Sequence, residues 1–216
     1  MRIAFLAPAA TAALLAFSGC GIEGQPPSAK RLAALTSHGV HVDYTPLASP
    51  RDALAKGDLV VRGTLTDIMD VVEASYPNAR ETERQSGQYA TFVLTVDEVL
   101  SGDPGKVRDG RVYVAVNKSP TTDISALARA NSRPQVVAVL DDITGWKPTS
   151  EATVTRRAGL PSSAPLFFAY SDGLWLQDAG AAEMTGVHAD PRDLTAAWNG
   201  PKTVAQVAAA LRAAKN

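Results

Sequence analysis

The segment from Tyr89 to Leu100 constrains the fold most strongly, because its apolar residues recur with a period of two. This period is typical of a strand with one buried face, since successive side chains point to opposite sides of a sheet. The predicted inner face carries Phe92, Leu94, Val96 and Leu100. The opposite face carries Thr91, Thr95 and Asp97. We therefore predict a long strand here, followed by a turn over 101–105.

Five further segments are rich in apolar and β-branched residues, and we predict strands in 58–72, 111–116, 134–140, 166–170 and 174–177. The run 134–140 is apolar without interruption, which indicates a strand buried on both faces. The triplet Ser171-Asp172-Gly173 has the composition of a tight hairpin turn, so the last two strands are predicted to form a hairpin. The polar segment 73–87 has no apolar period and is predicted to be a mobile hairpin loop.

Three helices are expected. Ser49 and Pro50 form a typical helix start and Gly57 a typical stop, which places a short helix over 50–56. A second short helix is indicated over 29–37 by the spacing of its leucines. At the end of the chain, Thr203 and Gln206 have the spacing of a capping box. Behind it lies an apolar stripe of Val204, Val207, Ala208 and Leu211, so we expect this helix to pack on the sheet.

The strands precede the final helix, and no alternation of strands with long helices is present. This order predicts a mainly β, α+β fold: a small antiparallel OB-like barrel of about six strands with a C-terminal amphipathic helix covering one end. Gly63, inside the first long strand, predicts a bulge or sharp bend. The segments ALAKGDLVVRGTLTDI, YATFVLTVDEVLSGD and VYVAV resemble uncharacterised bacterial extracytoplasmic proteins with OB-like barrels, over residues 53–116. A β-sandwich is the alternative.

The first twenty residues predict where the protein resides. Residues 3–17 are almost all apolar and would span about 22 Å as a helix, short of the roughly 30 Å of a bilayer core. That length is typical of an export signal. Its end, Phe17-Ser18-Gly19-Cys20, resembles the lipobox of bacterial lipoproteins. The resemblance implies removal of 1–19 and lipid on Cys20. The Gly- and Pro-rich composition that follows predicts a flexible tether over 20–28, and the remaining length suits a single domain over 29–216. An ordinary secreted protein and a retained N-terminal helix are the alternatives.

Composition excludes several classes of function. The 216 residues carry a formal net charge of −1, which is no basic footprint for nucleic acid. The single cysteine excludes an internal disulfide and four-cysteine zinc sites. The motifs of nucleotide-binding loops, serine hydrolases and zinc proteases are absent. We therefore predict no cofactor and no catalytic residue.

Two groups of side chains are candidate sites. His38, His41 and Asp43 could share a metal, but Gly39 and the β-like sequence after it favour surface histidines, so no metal is predicted. Acidic residues cluster at the predicted strand ends: Asp67, Asp70, Asp97, Glu98, Asp141 and Asp142. Such carboxylates could act as an acid–base pair, although strand ends commonly carry charges because they reach water.

The tryptophans Trp146, Trp175 and Trp198 lie in or beside turns that contain Gly or Pro. Exposed, they would form a ligand surface for a sugar or a peptide; buried, they would close the ends of a small core. The segments 73–87, 117–133 and 144–165 are the expected ligand-binding loops. The expected function is a lipid-anchored extracytoplasmic binding module on the outer face of the cytoplasmic membrane, with an envelope protein or glycan as its ligand. A cell-envelope hydrolase and an envelope protease inhibitor are the alternatives.

Overall fold

The computed structural model describes residues 26–38, 45–75, 89–119, 121–146 and 153–215. The described α-helices are α1 (Ala29–Ser37), α2 (Pro50–Lys56), α3 (Ile124–Ala130) and α4 (Val204–Lys215). The described strands are β1 (Leu59–Met69), β2 (Val72–Ser75), β3 (Tyr89–Gly102), β4 (Arg111–Asn117), β5 (Gln135–Asp142), β6 (Thr153–Arg156), β7 (Leu166–Gln177) and β8 (Thr185–Gly186). The predicted helices over 29–37 and 50–56 are confirmed, and Ser28 and Ser49 cap them as acceptors of backbone hydrogen bonds.

Five strands close into a barrel in the order β4-β3-β1-β5-β7, and β4 also pairs with β7. All pairings in the barrel are antiparallel except the closing one between β4 and β7, which is parallel. The predicted OB-like α+β fold is thereby confirmed, and the sandwich alternative is wrong. The strand β8 extends the sheet beyond β7, and β2 and β6 form a separate two-stranded ribbon.

Gly63 lies at one of the bends that let β1 curve around the barrel. The register of β1 against β3 shifts between Arg62 and Gly63, as the sequence predicted. A Cβ atom at Gly63 would lie 2.0 Å from the carbonyl oxygen of Thr95. The two backbones therefore approach more closely than any side chain permits, which is why the position needs glycine.

The long strand β3 changes its facing near Asp97. Gly63 pairs with Val96 but Arg62 pairs with Glu98, so Asp97 is an extra residue in β3. An extra residue reverses the alternation of side chains beyond it. Leu100 therefore packs with the core cluster beneath α4, not with Phe92 and Leu94 as its even spacing predicted.

The predicted hairpin at residues 171–173 is wrong, because residues 166–177 form the single strand β7. Both halves of β7 pair with the same strand β5: Leu140 pairs with Ala169, and Ala138 pairs with Leu174. The intervening residues 170–173 bulge outward opposite a single residue of β5. Ser, Asp and Gly suit such a bulge as well as a turn, so their composition could not distinguish the two.

The segment predicted as a loop over 73–87 is partly ordered as a strand. Its first three residues belong to β2, which pairs antiparallel with β6 through contacts such as Val72 with Arg156. Residues 76–88 lie outside the described part of the chain. We call the pair β2 and β6 the ribbon.

Two cores hold the barrel together. The interior cluster includes Phe92 and Phe167, and α1 and α3 close one barrel end with Leu32 and Leu127. The expectation that α4 covers an end is wrong: α4 packs its buried stripe on the outer face of the sheet, against residues such as Val139. The capping box predicted for α4 is confirmed by two reciprocal hydrogen bonds. The backbone N–H of Gln206 donates to the Thr203 hydroxyl at 3.2 Å, and the backbone N–H of Thr203 donates to the Gln206 side-chain oxygen at 3.2 Å.

Candidate functional site

A third apolar cluster lies on the outer face of β3, β4 and β7, on the barrel side away from α4. The ribbon and the segment 157–165 cover part of it. Its buried members are Val71, Val72, Tyr89, Val93, Tyr113, Ala115, Ile143, Leu160, Ala164 and Leu166. Trp146 and Phe168 pack at the edge of this cluster and are only half-buried, so part of this face is open to a ligand.

Three aromatic rings meet at the edge of this face, and we call them the aromatic cluster: Tyr89, Trp146 and Phe168. The ring centroids of Trp146 and Phe168 are 4.8 Å apart in an edge-to-face arrangement. Those of Tyr89 and Trp146 are 6.0 Å apart, and those of Tyr89 and Phe168 are 5.4 Å apart. Trp146 and Phe168 are half-buried. The cluster therefore leaves part of its apolar surface accessible to a ligand.

Two cavities border the aromatic cluster. The first has a volume of about 300 Å³ and is lined by Trp146 together with residues of the ribbon, among them Val154 and Arg156. The Arg156 guanidinium is fixed there by a hydrogen bond of 2.7 Å from Nη1 to the Ala164 carbonyl oxygen. The second cavity has a volume of about 180 Å³ and is lined by Tyr89, Ala115, Val116, Asn117, Phe168, Ala169, Ser171 and His188.

Arg157 ties the ribbon to the barrel. Its guanidinium donates to Asp70 at 3.0 Å and to Glu73 at 2.6 Å, so it joins the residue after β1 to β2. The hydrogen bond and charge of Glu73, with the charge of Asp70, raise the pKa of Arg157. All three side chains are exposed, so these ion pairs position the ribbon more than they stabilise it.

His188 contributes an uncharged imidazole to the second cavity. Burial lowers the pKa of His188, and no charged group offsets that effect. The ring is therefore neutral near pH 7, with one nitrogen as donor and the other as acceptor. It follows β8 in the chain and reaches the barrel from outside the five closing strands.

Of the three tryptophans predicted as a ligand surface, only Trp146 lies at this face. Trp175 is 1% exposed and Trp198 is 2% exposed, and both pack in the core beneath α4. Burial at that level excludes contact with a ligand, so the surface prediction is wrong for these two. The alternative placed them at the ends of a small core. They are buried in a core as it expected, but that core lies beneath α4 on the outer face of the sheet and not at an end.

The other sequence-predicted positions are dispersed. Cys20, His41 and Asp43 lie outside the described residues, and His38 is exposed after α1. The segment 117–133 is only partly a loop: it contains α3, which closes the barrel end, while its first residue, Asn117, borders the second cavity. In 144–165, by contrast, Trp146 and β6 do border the candidate site. Within the described ranges, no group of three or more His, Cys, Asp or Glu side chains is placed to hold a metal ion.

Three of the six strand-end acids, Asp70, Glu98 and Asp142, pair with cations. Glu98 is paired with Arg212, and Asp142 lies 2.9 Å from the Lys106 ammonium. These contacts lower the pKa of Glu98, and hydrogen bonds from Thr144 and Lys106 lower that of Asp142 in spite of its burial. Asp141 differs from these two residues. Its burial raises its pKa most, and the hydrogen bond and negative charge of the neighbouring Asp58 raise it further.

Sequence reasoning missed Tyr89, Phe168, Ser171 and His188 as site residues, whereas Asn117 lies at the start of the expected binding segment 117–133. The sequence patterns assign Tyr89 and Phe168 only to strands, and no pattern singles out His188. The one available signal was an aromatic residue near the start of a strand: Tyr89 in β3 and Phe168 in β7. Buried strands commonly carry such residues as well, so this signal is not specific to a site. Their convergence depends on the closure of β4 onto β7, which sequence patterns do not encode.

Comparison with protein-family models, with curated proteins and with solved structures finds no match for this chain. Among the described helices, none is both long and apolar enough to cross a bilayer. The protein is therefore classified by its fold alone: a closed, five-stranded OB-like barrel with an added ribbon and a C-terminal helix.

Proposed function

We propose that this protein is a lipid-anchored binding module on the extracytoplasmic side of the membrane, attached through Cys20, whose ligand is an envelope protein or glycan. The observation that carries the binding role is the partly exposed aromatic cluster bordered by two cavities. Binding sites are typically concave and apolar with a few polar groups, and this face has that composition. The sequence Phe17-Ser18-Gly19-Cys20 and the apolar stretch before it support the anchor.

Two acyl chains on one cysteine would suffice for stable attachment. Each buried CH₂ group contributes about 0.8 kcal/mol, so one chain holds a protein only marginally while two hold it firmly. The formal charge of −1 supplies no long basic patch for anionic headgroups. The proposed anchoring therefore rests on lipid rather than on charge.

The anchor is tested with the Cys20→Ala variant. We expect the natural chain to incorporate labelled palmitate in cells and to fractionate with membranes, and the variant to do neither. The matched control is Ser18→Ala, which keeps the thiol and a small residue before it. Palmitate incorporated equally into Cys20→Ala would refute the anchor.

The binding face is tested by photo-crosslinking in membranes. A photoreactive residue replaces Trp146 in the full chain, and the control carries it at Ala209, which is exposed on α4. We expect an adduct specific to position 146 whose yield falls in a Phe168→Ala background. Identical adducts from both positions would show that the aromatic cluster does not select a ligand.

The carboxylates Asp58 and Asp141 favour a second candidate, a cell-envelope hydrolase. Asp58 accepts a hydrogen bond of 2.8 Å from the backbone of Asp142, which holds it beside Asp141. The raised pKa of Asp141 is the property that a general acid requires. Hydrolysis of a panel of 4-methylumbelliferyl glycosides, lost in Asp141→Asn but retained in Asp109→Asn, would support this candidate; no hydrolysis above background would exclude glycosides as substrates.

A further inference from the structure

The barrel has a seam where its closing strands separate. The parallel pairing of β4 with β7 consists of three residue pairs and ends at Ala115 and Phe168. Beyond that point the second cavity, of about 180 Å³, lies between Asn117 on the β4 side and Ser171 on the β7 side. We call it the seam cavity. Past these residues, the described backbone groups of β4 and β7 that face the cavity are not paired with each other, so they can hydrogen-bond with a ligand in the cavity.

Three polar side chains at the seam cavity have no hydrogen-bond partner within the part of the chain that the structure describes. Asn117, Ser171 and His188 line the cavity, and none of their side chains bonds to another described residue. Together they offer an amide, a hydroxyl and an imidazole, which can each donate and accept. Asn117 is exposed, and Ser171 and His188 are half-buried, so all three groups are available to hydrogen-bond with a polar ligand in the cavity.

The lining of the seam cavity carries no acidic side chain, lysine or arginine among the described residues. The one titratable base, His188, is kept neutral by burial. A charged ligand would therefore have to give up its hydration without a counter-charge, which is costly. The geometry selects for a neutral ligand rich in hydroxyl or amide groups.

Size and shape narrow the ligand to a single ring. A volume of about 180 Å³ far exceeds the roughly 10–15 Å³ that one water needs, yet it is below the roughly 300 Å³ of sites for drug-sized molecules. One wall is formed by the rings of Tyr89 and Phe168, whose centroids are 5.4 Å apart. A pyranose ring has an apolar C–H face for such a wall and a hydroxyl rim for the polar side chains.

We propose that the seam cavity is a binding subsite for one neutral sugar residue of an envelope glycan, with Asn117, Ser171 and His188 as its polar contacts and Phe168 as its stacking wall. This inference rests on the proposed binding function and names its ligand class. His188 lies outside the five barrel strands, so the subsite also includes a residue from the segment after β8.

The test measures saturation transfer by NMR from the full chain, kept in mild detergent, to N-acetylglucosamine and to methyl β-D-glucopyranoside. We expect saturable transfer to the sugar C–H protons with at least one of the two probes. Phenol serves as an apolar ring of similar size. Transfer to phenol but to neither sugar would assign the cavity to an apolar ligand and overturn the proposal, and no transfer to any probe would also overturn it.

Variants locate the binding. Asn117→Ala and His188→Ala are each expected to weaken sugar binding about tenfold, the size of effect that loss of one well-formed hydrogen bond produces. Ser162→Ala, which is exposed and is not among the lining residues, is the control and should bind as the natural chain does. Binding that survives both cavity variants would place the sugar elsewhere. Should His188→Ala fail to fold, as judged by circular dichroism, the exposed Asn117 decides the question alone.

The two proposals fail separately. Absent sugar binding combined with palmitate on Cys20 and a specific crosslink at position 146 would overturn the sugar subsite and leave the anchored binding module standing. Sugar binding by the purified chain combined with no palmitate on Cys20 would overturn the anchor and leave the subsite standing.

Discussion

The backbone amide of Leu47 donates a hydrogen bond of 2.7 Å to Oδ2 of Asp172, across 125 positions of sequence. The carboxylate is 4% exposed, and its Oδ1 is buried without a partner among the described residues. The bulge in β7 places Asp172 here, so an apparent turn residue in fact attaches the segment before α2 to the barrel. A buried carboxylate with one unpaired oxygen carries a desolvation cost that depends on pH.

Asp172 is expected to make stability fall as the pH rises. Burial raises the pKa of the Asp172 carboxyl in the folded protein, so the folded chain binds this proton more tightly than the unfolded chain does. The stability that the proton contributes is fully present below about pH 4 and is lost as the pH rises through the folded pKa. Asp172→Asn keeps an acceptor for Leu47 and removes the titration. The free energy of unfolding of Asp172→Asn, measured in urea, should therefore fall less steeply with pH than that of the natural chain. At pH 7 it should equal or exceed the value of the natural chain.

Asp172→Ala separates the hydrogen bond from the charge. It removes the acceptor of the Leu47 amide, and an unsatisfied buried donor costs about 1–3 kcal/mol. We expect Asp172→Ala to be less stable than Asp172→Asn by about that amount at pH 7. Equal unfolding free energies for the two variants would contradict the role of this carboxylate as an anchor for Leu47.

Trp198 also holds Leu47, through its indole nitrogen. Nε1 of Trp198 donates to the Leu47 carbonyl oxygen at 2.9 Å in the core. Trp198→Phe leaves that carbonyl unpaired, whereas Trp175→Phe removes a similarly buried ring whose nitrogen donates to no described residue. We expect chemical unfolding to show a greater loss for Trp198→Phe, by about 1–3 kcal/mol. A larger loss for Trp175→Phe would mean that ring volume, not the hydrogen bond, dominates at both positions.

Gly63→Ala is expected to destabilise the barrel by about 3 kcal/mol or more, because the added Cβ would lie 2.0 Å from the Thr95 carbonyl oxygen and the backbone must move to accept it. Gly145→Ala is the matched control, since a Cβ there meets nothing within 4 Å. The control should leave the unfolding free energy unchanged or slightly higher, because alanine restricts the unfolded chain. Similar midpoints of urea unfolding for the two variants would show that β1 and β3 are not in close contact at Gly63.

The three tryptophans should differ in their accessibility to a quencher. Trp146 is half-buried, whereas Trp175 and Trp198 are almost fully enclosed. Iodide should therefore quench one component of the natural fluorescence, and Trp146→Phe should remove that component. Quenching unchanged in Trp146→Phe would place the accessible indole elsewhere and weaken the case for the aromatic cluster as a binding face.

Local patterns predicted the elements of this fold where a segment's own chemistry decides its structure. The uninterrupted run 134–140 is buried on both faces as β5, because Val136 faces the barrel interior and Val137 faces α4. The Thr203 and Gln206 pair caps α4 as its spacing indicated. In these cases each residue's neighbours along the chain already determine its environment.

Longer-range geometry accounts for what the sequence did not predict. The bulge at Asp97 reverses the facing of Leu100, and it arises from how β3 pairs with β1 rather than from the period of β3 itself. The seam cavity has the same origin. His188 meets Asn117 and Ser171 only because β4 stops pairing with β7 after Ala115, a consequence of barrel closure. Within the aromatic cluster only Trp146 was predicted as a ligand contact, because its position beside a Gly-containing turn is a local feature.

The start of α1 is fastened to two distant parts of the barrel. The Ser28 amide donates to the Ala130 carbonyl oxygen at 3.0 Å, and the Ala29 amide donates to both oxygens of Asp178, at 3.0 and 2.9 Å. Mechanical load applied through the residues before Ser28 would therefore pass directly to the ends of α3 and β7, and α1 would not be peeled off first. A force on the residues before Ser28 is therefore transmitted to the barrel through these hydrogen bonds.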